Sequence, residues 1–310
     1  MLAKPSCIRH LQFMNKIPDN FLTVYQLDAQ PVRGRIVKLG TALDKALGAR
    51  YPDPVANLLG EAMLLSALVA QSLKFKGRLV IQCHGTNVGA VSLLMSDCTT
   101  DGHIRGYSRW DDDKLEELML DNNNRGASKL LGGGTFSMTI DQGTDMDQYQ
   151  GLTSVEGERL SDCAEHYFKH SEQIPTEIRL ACGTLQEPSS GLKRRGGGIM
   201  VQKIAGDENR GHTEEDWDTA RALFRTVTDT ELLDPNLSQE ALLYRLFHES
   251  GVRVVDTAAV EARCQCSRER LERTLRSFNK TALKDMAEFG VINANCEFCD
   301  TTYSFPLVEI

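Results

Sequence analysis

The chain has 310 residues, more than one domain usually contains, so we expect two or three folded units. Hydrophobic residues make up 41% and charged residues 25%, a balance typical of a soluble globular protein. The net charge of −8 argues against nucleic acid as the main partner, because a phosphate backbone requires clustered lysines and arginines. No apolar run approaches the roughly twenty residues of a membrane span, so we expect no membrane partner either.

Cysteine usage indicates the compartment. The chain has nine cysteines, an odd number, and no secretory hydrophobic region. We therefore expect a reducing, cytoplasmic environment in which metal binding or redox chemistry is favoured over structural disulfides. Residues 1–18 form a basic extension without an acidic side chain. We expect this extension to be disordered; an organellar presequence is the alternative.

Residues 19–205 are predicted to form an N-terminal α+β domain, because many short strands are combined with few helices. A long apolar helix begins at Pro54, where proline is tolerated, and extends to residue 73 as the buried core helix. Shorter helices are predicted at 41–47, ended by Gly48, and at 160–170. The predicted strands are 21–25, 33–37, 78–82, 90–95, 102–107, 135–140, 149–155, 178–181 and 199–204.

Two runs of three glycines lie in this domain, at residues 132–134 and 196–198. Neither has the Walker pattern, and neither gives G-x-G-x-x-G between a strand and a helix, so a phosphate-binding loop is not favoured. Since both runs lead into predicted strands, we interpret both as flexible turns.

Residues 206–255 are predicted to form an acidic linker of amphipathic helices. Residues 206–250 contain eleven acids against four arginines, which accounts for most of the chain's net charge of −8. Thr213 with Asp216 is typical of a helix N-terminus. Like charges weaken such helices, so we expect them to need a neighbouring surface; an ordinary acidic surface is the alternative. Apolar residues recur at helical spacing: Trp217, Ala220, Phe224 and Val227, then Leu242, Leu243, Leu246 and Phe247.

Residues 256–310 contain four cysteines in two tight pairs. Cys264-Gln265-Cys266 is followed, after 29 residues, by Cys296-Glu297-Phe298-Cys299. Each pair offers two sulfurs to one ion, so together they predict a tetrahedral site for one Zn²⁺ per chain. Cu(I) or an iron–sulfur cluster is the alternative, since both also prefer thiolate ligands.

The same cysteines are candidates for redox chemistry. Residues two apart in an extended chain are separated by about 6.6–7.2 Å, beyond the usual disulfide Cα range of about 4.4–6.8 Å. A bond between Cys264 and Cys266 would therefore be strained and easily reduced, which is typical of regulatory disulfides. Oxidation consumes metal ligands, so the metal and the order coupled to it would be lost together.

Basic and aromatic residues accompany the four cysteines. Phe298, Tyr303 and Phe305 are predicted to supply a small apolar core around the metal, too small to fold without it. The helix expected between the pairs is predicted to offset the negative charge of a four-thiolate zinc site and to lower the thiol pKa values; a solvated helix face is the alternative. Its basic residues are Arg268, Arg270, Arg273 and Arg276.

No pattern of residues makes a positive case for an enzyme, and we assign no catalytic residues. The remaining cysteines, including Cys83 beside His84, are interpreted as small buried apolar residues. His166 and His170, one helical turn apart, are interpreted as a polar helix face. A thiol oxidoreductase using Cys296 and Cys299 would need a thioredoxin-like βαβ unit, and none is predicted around them.

The cysteine pattern resembles that of the heat shock protein 33 family, which has a C-x-C pair, a long spacer and a C-x-x-C pair. The resemblance extends from about Asp19 to the C-terminus, and residues 1–18 precede it. Further segments that resemble the family are Val32-Arg33-Gly34, Gly157-Glu158, Tyr167-Phe168, Ser171-Glu172-Gln173, Pro175-Thr176, Leu243-Tyr244-Arg245-Leu246-Phe247-His248-Glu249 and Ser267-Arg268-Glu269-Arg270.

The resemblance implies a redox-regulated chaperone that holds unfolding client proteins without ATP. The reduced, zinc-bound form would be inactive, and oxidant would form the disulfides Cys264–Cys266 and Cys296–Cys299 and release the metal. The linker would then lose order and expose Trp217 and Phe224, the candidate client-binding residues, and the activated chain would form a homodimer. The alternative is a constitutive zinc-ribbon module that binds nucleic acid or protein without redox control.

Overall fold

A computed structural model describes residues 19–71, 76–121, 126–143, 148–187, 191–204 and 214–310. Sheets and helices are mixed throughout, so the predicted α+β class is confirmed. The first sheet has five antiparallel strands in the order β10-β1-β2-β9-β8. Its strands are β1 (Phe21–Leu27), β2 (Val32–Leu39), β8 (Thr176–Glu187), β9 (Gly191–Lys203) and β10 (Val252–Ala259).

The second sheet has six strands in the order β11-β5-β4-β3-β6-β7, and only the short β11 runs parallel to its neighbour. β4 and β5 form an antiparallel hairpin. The segment that leads into the metal-binding module hydrogen-bonds to β5. The strands are β3 (Arg78–His84), β4 (Val91–Thr99), β5 (His103–Trp110), β6 (Thr135–Asp141), β7 (Tyr149–Ser154) and β11 (Glu261–Ala262).

The core helix lies between the two sheets. α2 (Asp53–Ala70) carries proline in its first turn, as predicted, and contacts β3, β4 and β5 on one side and β2, β8 and β9 on the other. α2 is apolar on nearly every face. By length and composition alone it could cross a membrane, although the sequence analysis predicted no such segment. The structure buries 78% of it inside the protein, as expected of a core helix.

The two glycine runs differ. Residues 132–134 form a turn in which all three glycines have positive φ, so the predicted turn is confirmed. The prediction was wrong for residues 196–198, which lie inside β9 and pair with β2. A Cβ on Gly196 would lie 2.7 Å from Leu43, and one on Gly197 would lie 2.4 Å from the carbonyl oxygen of Leu232. Glycine is required there because helices pack closely on both faces of the strand.

The remaining helices of the domain are short. α1 (Thr41–Leu47) ends at Gly48, which has positive φ, and α5 (Leu160–Tyr167) continues into a π-helical turn, Phe168–Glu172. Two helices were not predicted: α3 (Asp112–Met119), capped by Asp111, and α4 (Ala127–Leu131). They were missed because each is brief and buries only a few apolar residues.

Three helices cover the face of the first sheet opposite α2. Thr213 lies outside the described residues, whereas Thr228 and Ser238 cap the second and third helices through their side-chain oxygens. The two predicted apolar stripes are buried against Tyr25, Ile36 and Ile199 of the sheet. The helices are α6 (Glu214–Phe224), α7 (Asp229–Leu233) and α8 (Gln239–Phe247).

The chain then returns to both sheets before it reaches the paired cysteines. β10 adds to the edge of the first sheet beside β1, so the boundary proposed at residues 255 and 256 falls within this strand. β11 follows and pairs with β5. The last elements are α9 (Arg268–Leu275), α10 (Lys280–Met286) and a hairpin of β12 (Val291–Asn295) and β13 (Thr302–Pro306).

Candidate metal centre

The first cysteine pair is positioned by the second sheet. After β11, the backbone N–H of Arg263 donates to the carbonyl oxygen of Ile104 in β5, at 3.1 Å. Cys264 follows directly, and Ser267 then caps α9 by accepting a hydrogen bond from the N–H of Arg270. The pair is therefore held between an anchored strand and a capped helix.

The second pair occupies the turn of the β12–β13 hairpin. Residues 296–299, here called the knuckle, fold so that the N–H groups of Cys299 and Asp300 both donate to the carbonyl oxygen of Cys296, at 3.2 and 2.8 Å. Asp300 has a φ of 56°, which lets the chain turn back into β13. This tight turn directs both sulfurs to one side.

The four sulfurs form one cluster, all within 4.8 Å of one another. Cys264 and Cys296 Sγ are 3.7 Å apart, and Cys266 and Cys299 Sγ are 3.4 Å apart. Zn–S bonds of about 2.3 Å in a tetrahedron place sulfurs about 3.8 Å apart, so the arrangement fits such an ion. The distances are far longer than a disulfide bond, and all four cysteines are free thiols.

Local hydrogen bonds make the four thiols unequal. Burial acts to raise the pKa of Cys299, but hydrogen bonds with the side chain and backbone of Thr301 and with neighbouring sulfurs lower it to about 7. Burial raises the pKa of Cys296 to about 12. The hydroxyl of Tyr303 lies 3.2 Å from Cys266 Sγ. Cys299 is thus the sulfur most readily available as the thiolate that a metal requires.

The guanidinium that reaches a sulfur comes from the N-terminal domain. Arg105 of β5 hydrogen-bonds to Cys264 and, at 2.8 Å, to the buried carboxylate of Asp97. Two of the four arginines that were predicted to offset thiolate charge, Arg268 and Arg276, have other partners. Arg268 donates to Ser304, and Arg276 pairs with Glu272 of its own helix. Arg105 was missed because no local pattern shows which element faces the cysteines.

A very small apolar core supports the sulfur cluster. It consists of Leu275, Leu283, Ile292 and Phe305, with Tyr303 packed at its edge. The prediction was correct for Phe305 and Tyr303. It was wrong for Phe298, which lies instead against Arg105 and Tyr107 of the N-terminal domain. The residue between two ligands therefore points away from the module.

Comparisons with known proteins give the family of the chain. The family model described as Hsp33 protein matches residues 20–306. The chain belongs to the Hsp33 family. A 33 kDa chaperonin of Caulobacter vibrioides is 46% identical over 92% of this chain and 94% of its own length, and one of Chromobacterium violaceum is 35% identical over 94% and 92%.

A solved structure extends the likeness to the fold. The crystal structure of the 33 kDa chaperonin of Thermotoga maritima superposes with a TM-score of 0.76 at 23% identity, covering 94% of this chain and 96% of that one. The family and the names of the relatives support a chaperone function. They do not name the metal.

The candidate client-binding residues of this Hsp33-family chain are covered. Trp217 and Phe224 are buried, with exposures of only 5% and 3%, in the cluster between the linker helices and the first sheet. Asp229 of α7 binds Arg159 and Arg179 of the N-terminal domain, at 2.9 and 2.8 Å. In this state the linker's apolar surface faces the protein rather than solvent.

A buried lysine of the N-terminal domain hydrogen-bonds to the middle of the linker. Lys38 Nζ donates to the carbonyl oxygens of Glu231, Asp234 and Leu237, at 2.9, 2.9 and 2.6 Å. Burial lowers the pKa of Lys38 to about 8, and attraction by Asp234 offsets part of that shift. The sequence did not single out this contact, because β2 also contains Arg33 and Arg35.

The other cysteines and histidines form no second site in the described part of the chain, where the four paired cysteines are the one group able to hold a metal. Cys83, Cys98 and Cys163 are buried in the core, and burial raises the pKa of each. His166 and His170 stack on an exposed helix face with ring centroids 4.3 Å apart. Cys7 lies outside the described residues.

Proposed function

We propose that this chain is an ATP-independent holdase chaperone that its four paired cysteines keep inactive while they are reduced and hold one Zn²⁺. We place the chain in the cytoplasm, where its thiols stay reduced until an oxidant appears. Only the oxidised chain then acts on unfolding client proteins. The observation that supports this most is that Trp217 and Phe224 of the linker are buried against the first sheet, in a linker that β10 and β11 connect to the metal centre.

The resting state depends on contacts that this chain makes with itself. Bound zinc would hold four sulfurs together in a closed tetrahedral site, those of Cys264, Cys266, Cys296 and Cys299. The small core around Phe305 is too limited to fold the module alone. β10 and β11 connect α8 to Cys264, so an ordered module holds the C-terminal end of the linker, while its other end follows β9 of the N-terminal domain.

Activation proceeds by thiol oxidation. Counted from the thiols, each pair gives up two electrons and two protons, which one peroxide molecule takes up as it becomes two waters. Sulfurs joined as Cys264–Cys266 and Cys296–Cys299 no longer act as ligands, so the module loses order and the linker detaches. The exposed apolar helices then bind clients, and the activated chains form a homodimer.

The disulfide pairing is proposed from the family resemblance. The shortest sulfur contacts instead join Cys264 to Cys296 and Cys266 to Cys299. Peptide mapping by mass spectrometry after oxidation distinguishes the two pairings. Detection of the cross-pairs would contradict the proposed pairing.

One experiment tests the function as a whole. The reduced chain is treated with peroxide at elevated temperature while zinc release and the aggregation of a chemically unfolded model protein are followed together. We expect zinc release and suppression of aggregation to rise in parallel. Cys182 lies in β8, outside the sulfur cluster, so Cys182→Ser should behave like wild type. Zinc release without any suppression would reject the switch and favour a constitutive zinc-binding module.

A further inference from the structure

The knuckle contacts the N-terminal domain directly. Glu297 accepts hydrogen bonds from the hydroxyl of Tyr107, at 3.0 Å, and from Arg109, at 3.3 Å. Arg50, in the connection between α1 and α2, donates to the carbonyl oxygen of Glu297 at 2.7 Å and pairs with Asp300 at 3.3 Å. The module is therefore joined to the domain by charged contacts that do not involve the linker.

Phe298 adds an aromatic contact to this interface. The guanidinium carbon of Arg105 lies 4.2 Å from the centre of its ring, and the ring of Tyr107 lies 6.0 Å away at an angle of 52°. A guanidinium over an aromatic face is attracted by the ring quadrupole. Glu297 and Phe298 thus offer a carboxylate and a ring, side by side, to a matching surface.

That surface belongs to the N-terminal domain and is held by it. We call Arg50, Arg105, Tyr107 and Arg109 the β5 platform. The buried carboxylate of Asp97 fixes Arg105, with N–O distances of 2.8 and 2.7 Å, and Arg50 stacks over Tyr51 with 5.2 Å to the ring centre. The side chains that position the platform lie in the sheet and in the α1–α2 connection, so the platform keeps its shape when the module leaves.

We propose that the β5 platform is a client-binding surface which the chain's own knuckle fills in the resting state. Its partner is an extended peptide segment in which an acidic residue directly precedes an aromatic one, as Glu297 precedes Phe298. The inference rests on the proposed function, because loss of order in the module is what exposes the platform. Each contact is weak when solvated, but the knuckle is tethered at high effective concentration and excludes clients until it detaches.

The test uses the reduced, full-length chain without oxidant. The probe is a fluorescein-labelled peptide of residues 295–301 carrying Cys296→Ser and Cys299→Ser, and its binding is measured by fluorescence anisotropy. The Glu297→Ala/Phe298→Ala variant keeps all four cysteines, and its zinc content is measured first. A milder variant, Glu297→Gln/Asp300→Asn, serves if that zinc content falls.

Removal of the tethered competitor should strengthen peptide binding by at least about tenfold relative to wild type. Arg50→Gln/Tyr107→Phe in the same background should weaken binding again, and a probe carrying Glu297→Gln and Phe298→Ala should not bind. The proposal is overturned if wild type and the knuckle variants bind the peptide equally well, or if the platform substitutions leave peptide binding unchanged. The peptide test involves no oxidation, so it is independent of the test of the proposed function. If the oxidised wild-type chain suppresses aggregation but the peptide does not bind, the platform proposal is wrong and the proposed function stands.

Discussion

The N-terminal domain and the metal-binding module are stabilised in different ways. α2 buries side chains on nearly every face between two sheets, whereas α9 and α10 each bury a single leucine, Leu275 and Leu283. Burial of apolar area stabilises the first region whether or not a metal is present. The second has little such burial and depends on four sulfurs. We therefore expect a chemical change at those sulfurs to unfold the module and to leave the N-terminal domain intact.

The largest expected effect comes from removing the sulfurs themselves. Cys264→Ser/Cys296→Ser should abolish metal binding and the order of the module, because structural zinc supplies about 10–16 kcal/mol of apparent folding free energy. Hydrogen exchange of the β12–β13 hairpin and zinc content are the measurements, with Cys182→Ser as the control. A hairpin that stays protected without metal would show that the small core is sufficient.

The converse substitution affects the N-terminal domain alone. Replacing Leu64, which is fully buried in α2, by alanine should lower the free energy of unfolding by about 2–5 kcal/mol, because apolar contacts are lost and a cavity is left. Zinc content should not change. Denaturant unfolding measures the loss, and Leu120→Ala, at a site that is 89% exposed, should be nearly neutral. Similar losses for the two variants would contradict the assigned core.

A smaller effect is expected at the contact between the domain and the linker. Lys38→Met leaves three half-buried carbonyl oxygens without their donor, which should destabilise the attached linker by about 1–3 kcal/mol. Hydrogen exchange in α7 and α8 should accelerate while the metal stays bound. Lys45→Met, at an exposed site of α1, is the matched control. If α7 and α8 exchange at the same rate in both variants, Lys38 does not fasten the linker.

An effect of about the same size, but confined to high pH, is expected within the N-terminal domain. Burial raises the pKa of Glu61 to about 7, although the N–H of Leu160 and the charge of Arg159 lower it in part. Between the usual pKa of 4.5 and this raised value, the folded state retains a proton that the unfolded state releases. The contribution of Glu61 to folding stability is therefore complete below pH 4.5 and is lost as pH rises through 7. Glu61→Gln should therefore stabilise the domain at pH 8 by about 1–3 kcal/mol.

Denaturant unfolding of both chains at pH 4.5 and pH 8 measures this difference. At pH 4.5 the two should differ little, because the amide of the variant replaces a protonated carboxyl and still accepts from Leu160. A variant whose gain is the same at both pH values would indicate a packing effect rather than the lost charge.

The sequence predicted features that depend on residues close together in the chain. The spacing of Cys264, Cys266, Cys296 and Cys299 anticipated the sulfur cluster, and proline followed by an apolar run anticipated α2. Features decided by distant packing were not predictable. Residues 196–198 are strand rather than turn because Leu43 and Leu232 pack on opposite faces. Phe298 points to the β5 platform, and its neighbours Arg105 and Tyr107 come from a strand nearly two hundred residues earlier.

The most direct test of the account is hydrogen exchange in α8 of the wild-type chain before and after oxidative zinc release. If the metal centre holds the linker in place, exchange in α8 should accelerate at least about tenfold while α2 exchanges as before, because only local opening is affected. Unchanged protection of α8 in the oxidised, metal-free chain would contradict the claim that four sulfurs control the linker.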